Sequence, residues 1–337
     1  MIMDLLKERA KKKPMRIVLP EGEEDRIIRA SVKAAEEGLA KPILLGDEDA
    51  INERAEDLGL SLRGVELLDP EVSPEMDEYV KKYLEIRRGK RVSEAMARRI
   101  LRRPLYYGAM MVRVGDADGM VAGAVSITAS VIRASLLLIG LQKDITVPSS
   151  FFIMETKNEK IGENGTLIFA DAAVNPDPTP EQLADIAIAS ARSAKALLGW
   201  TPRVAMLSFS TKGSAAHPLV DKVMEAVKIA KSKAPDIAID GELQADAALL
   251  PSVAERKIKG DVGPVAGRAN ILIFPDLDAG NIAYKLVQHV CGAGAYGPIL
   301  QGFEKPVSDL SRGAKAEEIV GVITIVNILA QGFQGRL

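Results

Sequence analysis

Short apolar runs alternate with longer amphipathic stretches along most of the chain. MRIVLPEG at 15–22 predicts a strand and a turn, EDRIIRASVKAAEEG at 24–38 predicts a helix that ends at Gly38, and KPILLGD at 41–47 predicts a second strand. Further strand-like runs, most of them followed by amphipathic segments, lie at 119–124, 165–171, 203–210, 237–241, 270–276 and 297–302. Because the strands are almost continuously apolar, as in sheets covered on both faces, the pattern predicts an α/β fold with mostly parallel sheets.

The composition limits the class of protein. The 337 residues are 47% hydrophobic and 27% charged, which is ordinary for a globular protein of about two domains. A formal net charge of −2 argues against a nucleic-acid partner. Two histidines and a single cysteine, Cys291, argue against a zinc site, exclude an internal disulfide and suit a reducing compartment.

Neither end of the sequence carries a segment that we expect to enter a membrane. The stretch MIMDLLKERAKKK is charged from Asp4 onward and lacks the apolar core of a signal peptide. The uncharged run Ile319–Gly335 contains Thr324 and Asn327, so we expect a buried core helix there rather than a membrane span. The cytoplasm is therefore the expected compartment.

Small and polar residues cluster directly after several predicted strands. Five segments share this property: ADAAVNPDPTPEQ (170–182), LSFSTKGSA (207–215), DGELQAD (240–246), FPDLDAGN (274–281) and DLSRGAKAEE (309–318). Ligands of α/β proteins bind at the carboxyl ends of strands and at helix N-termini. Each segment alone is equally compatible with a simple turn, but together they predict one site.

Three motifs leave alternatives open. CGAGAYG (291–297) has the G-x-G-x-x-G spacing, but it follows a helical stretch and leads into a strand, which is the reverse of a dinucleotide-binding turn. STKGSA (210–215) lacks the spacing of a nucleoside triphosphatase loop and is either a turn or a source of backbone amides for an anion. Asp276 and Asp278 either bind a metal or belong to a helix-capping turn.

Basic residues offer two candidate anion sites. RRGKRVSEAMARRILRR (87–103) is either a solvated helical face or a surface for a polyphosphate, since arginine forks match phosphate oxygens. Arg133 lies in the apolar run SITASVIRASLLLIG (126–140), where a buried charge requires a partner. It either pairs with a carboxylate or binds an anion, and we favour the anion.

Several long segments, in order and spread over nearly the whole chain, closely resemble the phosphate acetyltransferase (phosphotransacetylase) family. They are VLPEGEEDR (18–26), EIRRGK (85–90), FADAAVNPDPTPEQLADIAI (169–188), VAMLSFSTKGSA (204–215), DGELQADAAL (240–249), NILIFPDLDAGNIAYKLVQ (270–288) and GPILQGFEKPVSDLSRG (297–313). The phosphate butyryltransferases are more distant relatives, and they look different around AVNPDPT.

The resemblance implies a fold, a reaction and partners. The fold would be two α/β domains with a cleft between them, similar to the isocitrate and isopropylmalate dehydrogenases. The first domain would be 1–146 plus 298–337 and the second 147–297. The reaction would transfer an acetyl group reversibly between CoA and inorganic phosphate to give acetyl phosphate, as in acetate metabolism. No metal or cofactor would take part, CoA would be a substrate, and the family is typically homodimeric.

The resemblance also implies the site residues. The family's catalytic serine and arginine fall on Ser311 and Arg312, and its acidic base falls on Glu318, where the family usually has aspartate. Glu317 is a competing assignment for the base. The family arginines for CoA or phosphate fall on Arg87 and Arg133.

The family's polar run S-T-x-x-T-x-R corresponds to a segment that departs from the pattern here. Its first five positions are Ile127, Thr128, Ala129, Ser130 and Val131, so we expect Thr128 and Ser130 to supply the remaining hydroxyls beside Arg133.

The chemistry of these residues fits acyl transfer. A thiol has a pKa of about 8.5, so a carboxylate that takes its proton assists its attack on the acetyl carbonyl. Arg312 would hold phosphoryl oxygens, while Ser311 and the backbone at Gly313 would offer hydrogen bonds to an oxyanion or phosphate. We expect a ternary complex rather than an acetyl-enzyme. The alternatives are a non-catalytic module that senses CoA or acetyl phosphate, and a phosphate acyltransferase for longer chains such as butyryl.

Overall fold

The structure is a computed structural model that describes residues 2–334. The strands are, in chain order, β1 (Arg16–Leu19), β2 (Lys41–Leu45), β3 (Glu66–Leu68), β4 (Gly119–Ala122), β5 (Ser149–Glu155), β6 (Thr166–Ala170), β7 (Arg203–Leu207), β8 (Ala238–Leu243), β9 (Ile271–Ile273), β10 (Gly294–Gln301) and β11 (Val307–Asp309). The helices are α1 (Ile2–Lys11), α2 (Asp25–Glu36), α3 (Glu48–Asp57), α4 (Met76–Ile86), α5 (Glu94–Leu101), α6 (Pro104–Val114), α7 (Thr128–Leu138), α8 (Pro180–Leu198), α9 (Pro218–Lys233), α10 (Ala245–Leu249), α11 (Pro251–Lys257), α12 (Leu277–Cys291) and α13 (Ala316–Gln334).

The chain divides into two units. The terminal unit comprises Met3–Gly140 and the chain from Phe303 onward, and the central unit comprises Leu141–Gly302 with Ile2. The domain boundaries expected from the sequence were 146/147 and 297/298, whereas the units change at 140/141 and 302/303. The second difference has a clear cause. β10 pairs with β5 of the central unit and β11 pairs with β4 of the terminal unit, so the chain leaves the central unit after β10 has ended.

The terminal unit has a sheet with the strand order β11-β4-β1-β2-β3, in which every neighbouring pair is parallel. The apolar residues of β1, β2 and β4 are buried, as their continuous apolar sequences predict. Since β1, β4 and β11 are neighbours, the loops that follow them leave the same edge of the sheet. The candidate site residues of this unit are built largely on these loops.

Helix α13 belongs to the core of the terminal unit. Its apolar residues between 319 and 330 are almost all buried, and it packs against α2, β1 and β4. The buried Asn327 side chain accepts a hydrogen bond from Met15 N–H (2.6 Å) and donates one to Ala10 O (3.2 Å), so its polar atoms are satisfied. In the described chain it is the one helix long and apolar enough to span a membrane, and 61% of that stretch is buried in the protein. The expected core helix is confirmed, except at Gly335, which lies outside the described residues.

The central unit has a sheet with the order β10-β5-β6-β9-β7-β8. β5 runs antiparallel to both of its neighbours, while β6, β9, β7 and β8 are parallel to one another. The α/β class with mostly parallel sheets is thus confirmed. Four of the five polar segments follow β6, β7, β8 and β9 along one edge of this sheet, and the fifth follows β11 in the terminal unit.

Candidate active site

A short turn, Ser311–Ala314, joins β11 to α13. Ala314 N–H donates to Ser311 O (2.8 Å), and Gly313 N–H donates to Ser311 Oγ (3.3 Å), so this N–H of the predicted anion site is used inside the turn. Ser311, Arg312 and Gly313 are all exposed. The Arg312 guanidinium has no hydrogen bond or ion pair with any of residues 2–334. The turn therefore presents a hydroxyl group and an unpaired positive charge to solvent.

The two adjacent carboxylates at the start of α13 make different contacts. Glu318 Oε2 accepts a hydrogen bond from Lys315 N–H (2.7 Å), so its side chain folds back towards the turn. Glu317 instead forms an ion pair with Lys33 Nζ of α2 (2.7 Å), and this hydrogen bond holds the pKa of the Glu317 carboxyl below its usual value. Both side chains are exposed. Of the two candidates for a base, Glu318 is the one beside the turn.

A buried carboxyl group lies just before the turn. Asp309, the last residue of β11, is 2% exposed, and its Oδ2 accepts a hydrogen bond from Thr128 Oγ1 (2.5 Å). Its Oδ1 is buried and has no hydrogen-bond partner among the described residues. Burial raises the pKa of Asp309 to about 6, and the negative charge of Glu21 adds to this, against the hydrogen bond from Thr128. Gly123 makes room for the carboxyl, because a side chain there would collide with Asp309 Oδ1.

The loop from β4 to α7 is organised by a carboxylate of the protein itself. Glu21 Oε2 accepts hydrogen bonds from Gly123 N–H (3.0 Å) and Ala124 N–H (2.7 Å). Its Oε1 accepts from Val125 N–H (3.2 Å) and Ser126 N–H (2.7 Å). Successive backbone N–H groups of this kind often bind phosphate, but here an internal anion takes them. The loop is therefore a support for the site rather than a free anion cradle.

Helix α7 turns its polar residues in two directions. Thr128 faces the buried Asp309, while Ser130 and Arg133, three residues apart, share a more open face. Arg133 is exposed, which corrects the expectation that its charge is buried in an apolar run: only one side of the helix is buried. It has no carboxylate partner within residues 2–334. Of the two alternatives for Arg133, pairing with a carboxylate is therefore not found among the described residues, and the anion remains.

The basic stretch 87–103 is mostly a solvated surface. Arg98 pairs with Asp77 (2.5 Å), and Arg102 pairs with Glu71 (3.2 Å). Arg87, directly after α4, differs because its Nε atom is buried without a hydrogen-bond partner in the described chain. No hydrogen bond or ion pair of the described chain connects Arg87 with the Ser311–Ala314 turn. The structure thus groups most of the predicted site residues around β4 and β11, with Arg87 on a separate element.

The family model described as Phosphate acetyl/butaryl transferase matches residues 1–327. The chain belongs to this family. The phosphate acetyltransferase of Thermoanaerobacterium thermosaccharolyticum is 50% identical over 330 residues, which cover 98% of this chain and 99% of that protein. A solved phosphotransacetylase from Streptococcus pyogenes is 41% identical, with a TM-score of 0.91 and coverage of 99% of this chain and 98% of the other. The resemblance, the fold class and the enzyme class expected from the sequence are confirmed by these relatives.

A third solved structure has a similar fold at much lower sequence identity. A branched-chain phosphotransacylase from Enterococcus faecalis is 19% identical, with a TM-score of 0.65 and coverage of 94% of this chain and 99% of the other. At this identity the likeness shows the fold alone.

The polar segments of this family member's central unit are occupied by internal hydrogen bonds. Asp171, directly after β6, is 3% exposed. Its carboxylate accepts from the backbone or side-chain donors of Ser150, Ala173, Val174 and Asn175, at 2.5–3.3 Å. This carboxylate organises the loop that follows β6, and no further partner is needed to explain its burial.

STKGSA, which was either a turn or an anion loop, is closed around a second internal carboxylate. Glu242 Oε1 accepts from Gly213 N–H (2.7 Å) and from Ser210 Oγ (2.9 Å), and the side chain is 2% exposed. Ser214 Oγ accepts from Thr211 N–H (2.9 Å). The loop amides are thus engaged inside the protein, and the turn interpretation holds.

The remaining alternatives also resolve towards structural roles. Asp276 caps α12 by accepting a hydrogen bond from Ala279 N–H (2.9 Å). CGAGAYG contains the end of α12, with Gly292 in a left-handed conformation, and the start of β10, so it is a helix-to-strand connection. Cys291 is exposed. Within residues 2–334, no cluster of three or more metal-ligating side chains is found.

Sequence reasoning missed the roles of two carboxyl groups, Glu21 and Asp309. Both lie in segments that carry the family resemblance, VLPEGEEDR and GPILQGFEKPVSDLSRG. For Glu21 the available signal was its position just after the apolar run of β1, where a half-buried carboxylate needs donors. Nothing in the sequence indicated which loop amides or hydroxyls would supply them.

Proposed function

We propose that this chain is a phosphate acetyltransferase that interconverts acetyl-CoA plus phosphate with CoA plus acetyl phosphate. The observation that carries the proposal is the exposed Ser311–Arg312 turn, with its unpaired guanidinium and Glu318 beside it, in a chain that matches phosphate acetyltransferases over nearly its full length. An arginine that is not paired inside the protein suits a phosphoryl group, because the guanidinium fork matches two oxygen atoms at once.

In the direction of acetyl-CoA formation, the CoA thiol loses its proton to Glu318 as sulfur attacks the acetyl carbonyl of acetyl phosphate. A carbon–sulfur bond forms and the carbonyl electron pair moves to oxygen, giving a tetrahedral oxyanion. The electron pair then returns, the carbon–oxygen bond to the phosphoryl group breaks, and phosphate leaves. Arg312 stabilises the phosphoryl oxygens throughout, and the Ser311 hydroxyl donates to the oxyanion or to phosphate. Both substrates are bound together, and no acetyl-enzyme forms.

The other cations bind the phosphates of CoA. Arg87 and Arg133 are supported in this role by their lack of carboxylate partners among the described residues. Ser130 shares the open face of α7 with Arg133 and adds a hydroxyl group. Thr128 contributes indirectly, since its hydroxyl group is committed to Asp309. Gly313 N–H donates to Ser311 Oγ and so holds the serine side chain within the turn.

The proposed reaction uses no metal and no cofactor other than the substrate CoA. It takes place in the cytoplasm, where CoA is kept reduced. It involves neither nucleic acid nor membrane as partner. The overall charge of −2 supports the absence of a nucleic-acid partner.

We further propose a homodimer that forms through α12. This helix exposes Ile282 (56%), Leu286 (54%) and Val290 (77%), which recur every four residues and so form one apolar stripe. A second copy of the chain would cover the stripe symmetrically. Leu286→Glu should shift the mass measured by light scattering from two chains to one, whereas Val72→Glu, at another exposed apolar position, should not. An unchanged mass for Leu286→Glu would contradict the proposed interface.

The proposed reaction is tested with purified, chelator-treated protein and a panel of acyl-CoA substrates. Acetyl-CoA should release CoA only when phosphate is added, with acetyl phosphate formed in equal amount. The higher identity to phosphate acetyltransferases than to the branched-chain enzyme supports acetyl over longer chains. Faster turnover of butyryl-CoA would replace the acetyl assignment, and CoA binding without any release would indicate a sensing module.

A further inference from the structure

The Arg26 side chain lies beneath the Ser311–Ala314 turn. It is the second residue of α2, and its side chain is 29% exposed. Nη1 donates to Arg312 O (2.8 Å) and to Ala314 O (2.9 Å). Nη2 donates to Ala124 O (3.1 Å) in the loop from β4 to α7, and Nε donates to Glu24 Oε1 (2.6 Å). One guanidinium group thus connects the turn to a neighbouring loop.

The partners of this group decide its role. Three of its hydrogen bonds go to main-chain carbonyl oxygens, and its charge is balanced by Glu24 at the start of the same helix. Arg312 differs from it, because that guanidinium is exposed and has no partner in the described chain. Arg26 is therefore arranged to hold the backbone rather than to bind an anionic substrate. A lysine could not replace it, since a single ammonium lacks the planar fork that reaches two loops.

Glu21 and Arg26 carry opposite charges, and both form hydrogen bonds with the backbone of the loop from β4 to α7. Glu21 takes the N–H groups of 123–126, and Arg26 takes the carbonyl oxygen of Ala124. The segment from β1 to α2 thus fixes the loop from β4 to α7, and through Arg26 it also fixes the turn after β11. The backbone of Arg312 is held at its carbonyl group while its side chain stays free.

We propose that Arg26 is a positioning residue for the acyl transfer: its guanidinium sets the backbone of the Ser311–Ala314 turn and thereby the direction of the Arg312 side chain. This inference rests on the proposed function for its effect on the reaction, but not for its effect on the turn. A turn without this support would sample other conformations, and a displacement of about 1 Å at a catalytic group can cost about 100-fold in rate.

The test compares Arg26→Ala and Arg26→Lys with Arg29→Ala, which removes an exposed arginine from the same helix. We expect kcat to fall by about 100-fold in both Arg26 variants, while the KM values for CoA and acetyl phosphate stay within about threefold of the wild type. Guanidinium ion added at millimolar concentration should restore part of the rate of Arg26→Ala, and it should not accelerate Arg29→Ala. A kcat within twofold of the wild type for Arg26→Lys and Arg26→Ala would overturn the proposal.

A second readout is independent of activity. Hydrogen–deuterium exchange of a peptide covering 310–316 should be faster in both Arg26 variants than in the wild type, and unchanged in Arg29→Ala. Unchanged exchange in the Arg26 variants would overturn the positioning role even if kcat fell, because the residue would then act by another route. If the wild type shows no phosphate-dependent CoA release, the proposed function fails, and the exchange measurement still decides whether Arg26 holds the turn.

Discussion

Two buried aspartates at strand ends, one in each unit, have opposite surroundings. Asp171 in the central unit receives backbone and side-chain donors from four residues. Asp309 in the terminal unit receives the Thr128 hydroxyl on one oxygen, and its other oxygen is buried without a partner among residues 2–334. The same contrast extends to the loops around them. In the central unit the polar segments form hydrogen bonds inside the protein, whereas in the terminal unit Arg87, Arg133 and Arg312 have no carboxylate partner in the described part of the chain.

This difference distinguishes loops that stabilise the fold from residues that can bind substrates. Both units carry polar loops at the carboxyl ends of parallel strands, and the sequence alone made all of these loops candidates for one site. Hydrogen bonding that is complete inside the protein leaves little for a ligand to add, while unpaired cations leave a place for anionic substrates. Substitutions in the central-unit loops should therefore reduce stability, and substitutions of the terminal-unit cations should reduce the rate.

The largest effect should follow from Glu318→Gln. Removal of the base should lower kcat by about 1000-fold, while glutamine can still accept the hydrogen bond from Lys315 N–H and so keep the helix start. Glu317→Gln should leave kcat nearly unchanged, because that carboxylate faces Lys33. Steady-state rates with saturating substrates measure both variants. The reverse ranking would move the base to Glu317.

Arg312→Ala should reduce kcat by about 100- to 1000-fold, since it removes the cation that holds the phosphoryl group in the transition state. The melting temperature should stay close to that of the wild type, because the exposed side chain has no partner in the described chain. Arg99→Ala, an exposed arginine of α5, is the matched control for the loss of one surface charge. A comparable rate for the two variants would remove Arg312 from the mechanism.

Asp171→Asn should act on stability instead. Asparagine keeps one acceptor oxygen, so at least two of the donors around position 171 lose their partner, and the free energy of unfolding should fall by roughly 4 kcal/mol. Urea denaturation measures this loss, and the activity of the folded fraction at low temperature should remain within a few-fold of the wild type. A stable but inactive variant would contradict the supporting role of the central-unit loop.

Asp309→Asn should remove a pH dependence of stability that is opposite to that of a paired carboxylate. Because the folded protein raises the pKa of Asp309 from 3.8 to about 6, the folded state binds the proton more tightly than the unfolded state between these values. The wild type therefore loses stability from this group as the pH rises through that window, by up to about 3 kcal/mol, and asparagine does not. Urea denaturation at pH 4.5 and pH 7.5 should show the variant gaining on the wild type at the higher pH. A difference that is constant with pH would contradict the account of this buried carboxyl group.

The periodicity of the sequence was enough to predict the α/β class, the buried α13 and most of the longer strands. It missed short elements such as β3 and β11, because three-residue strands carry too little pattern to stand out. The family resemblance identified Arg312 and Glu318, but the supporting contacts of Glu21 and Arg26 join residues about 100 to almost 300 positions apart and depend on the fold. The exposure of Arg133 was missed for a related reason, since burial on one side of α7 is decided by its neighbours.

The most direct measurement is the release of CoA from acetyl-CoA by the wild type and by Arg312→Ala, each with and without phosphate. The account predicts release by the wild type that requires phosphate and forms acetyl phosphate in equal amount, and a rate at least about 100 times lower in the variant. No phosphate-dependent release by the wild type, or equal release by both proteins, would contradict it.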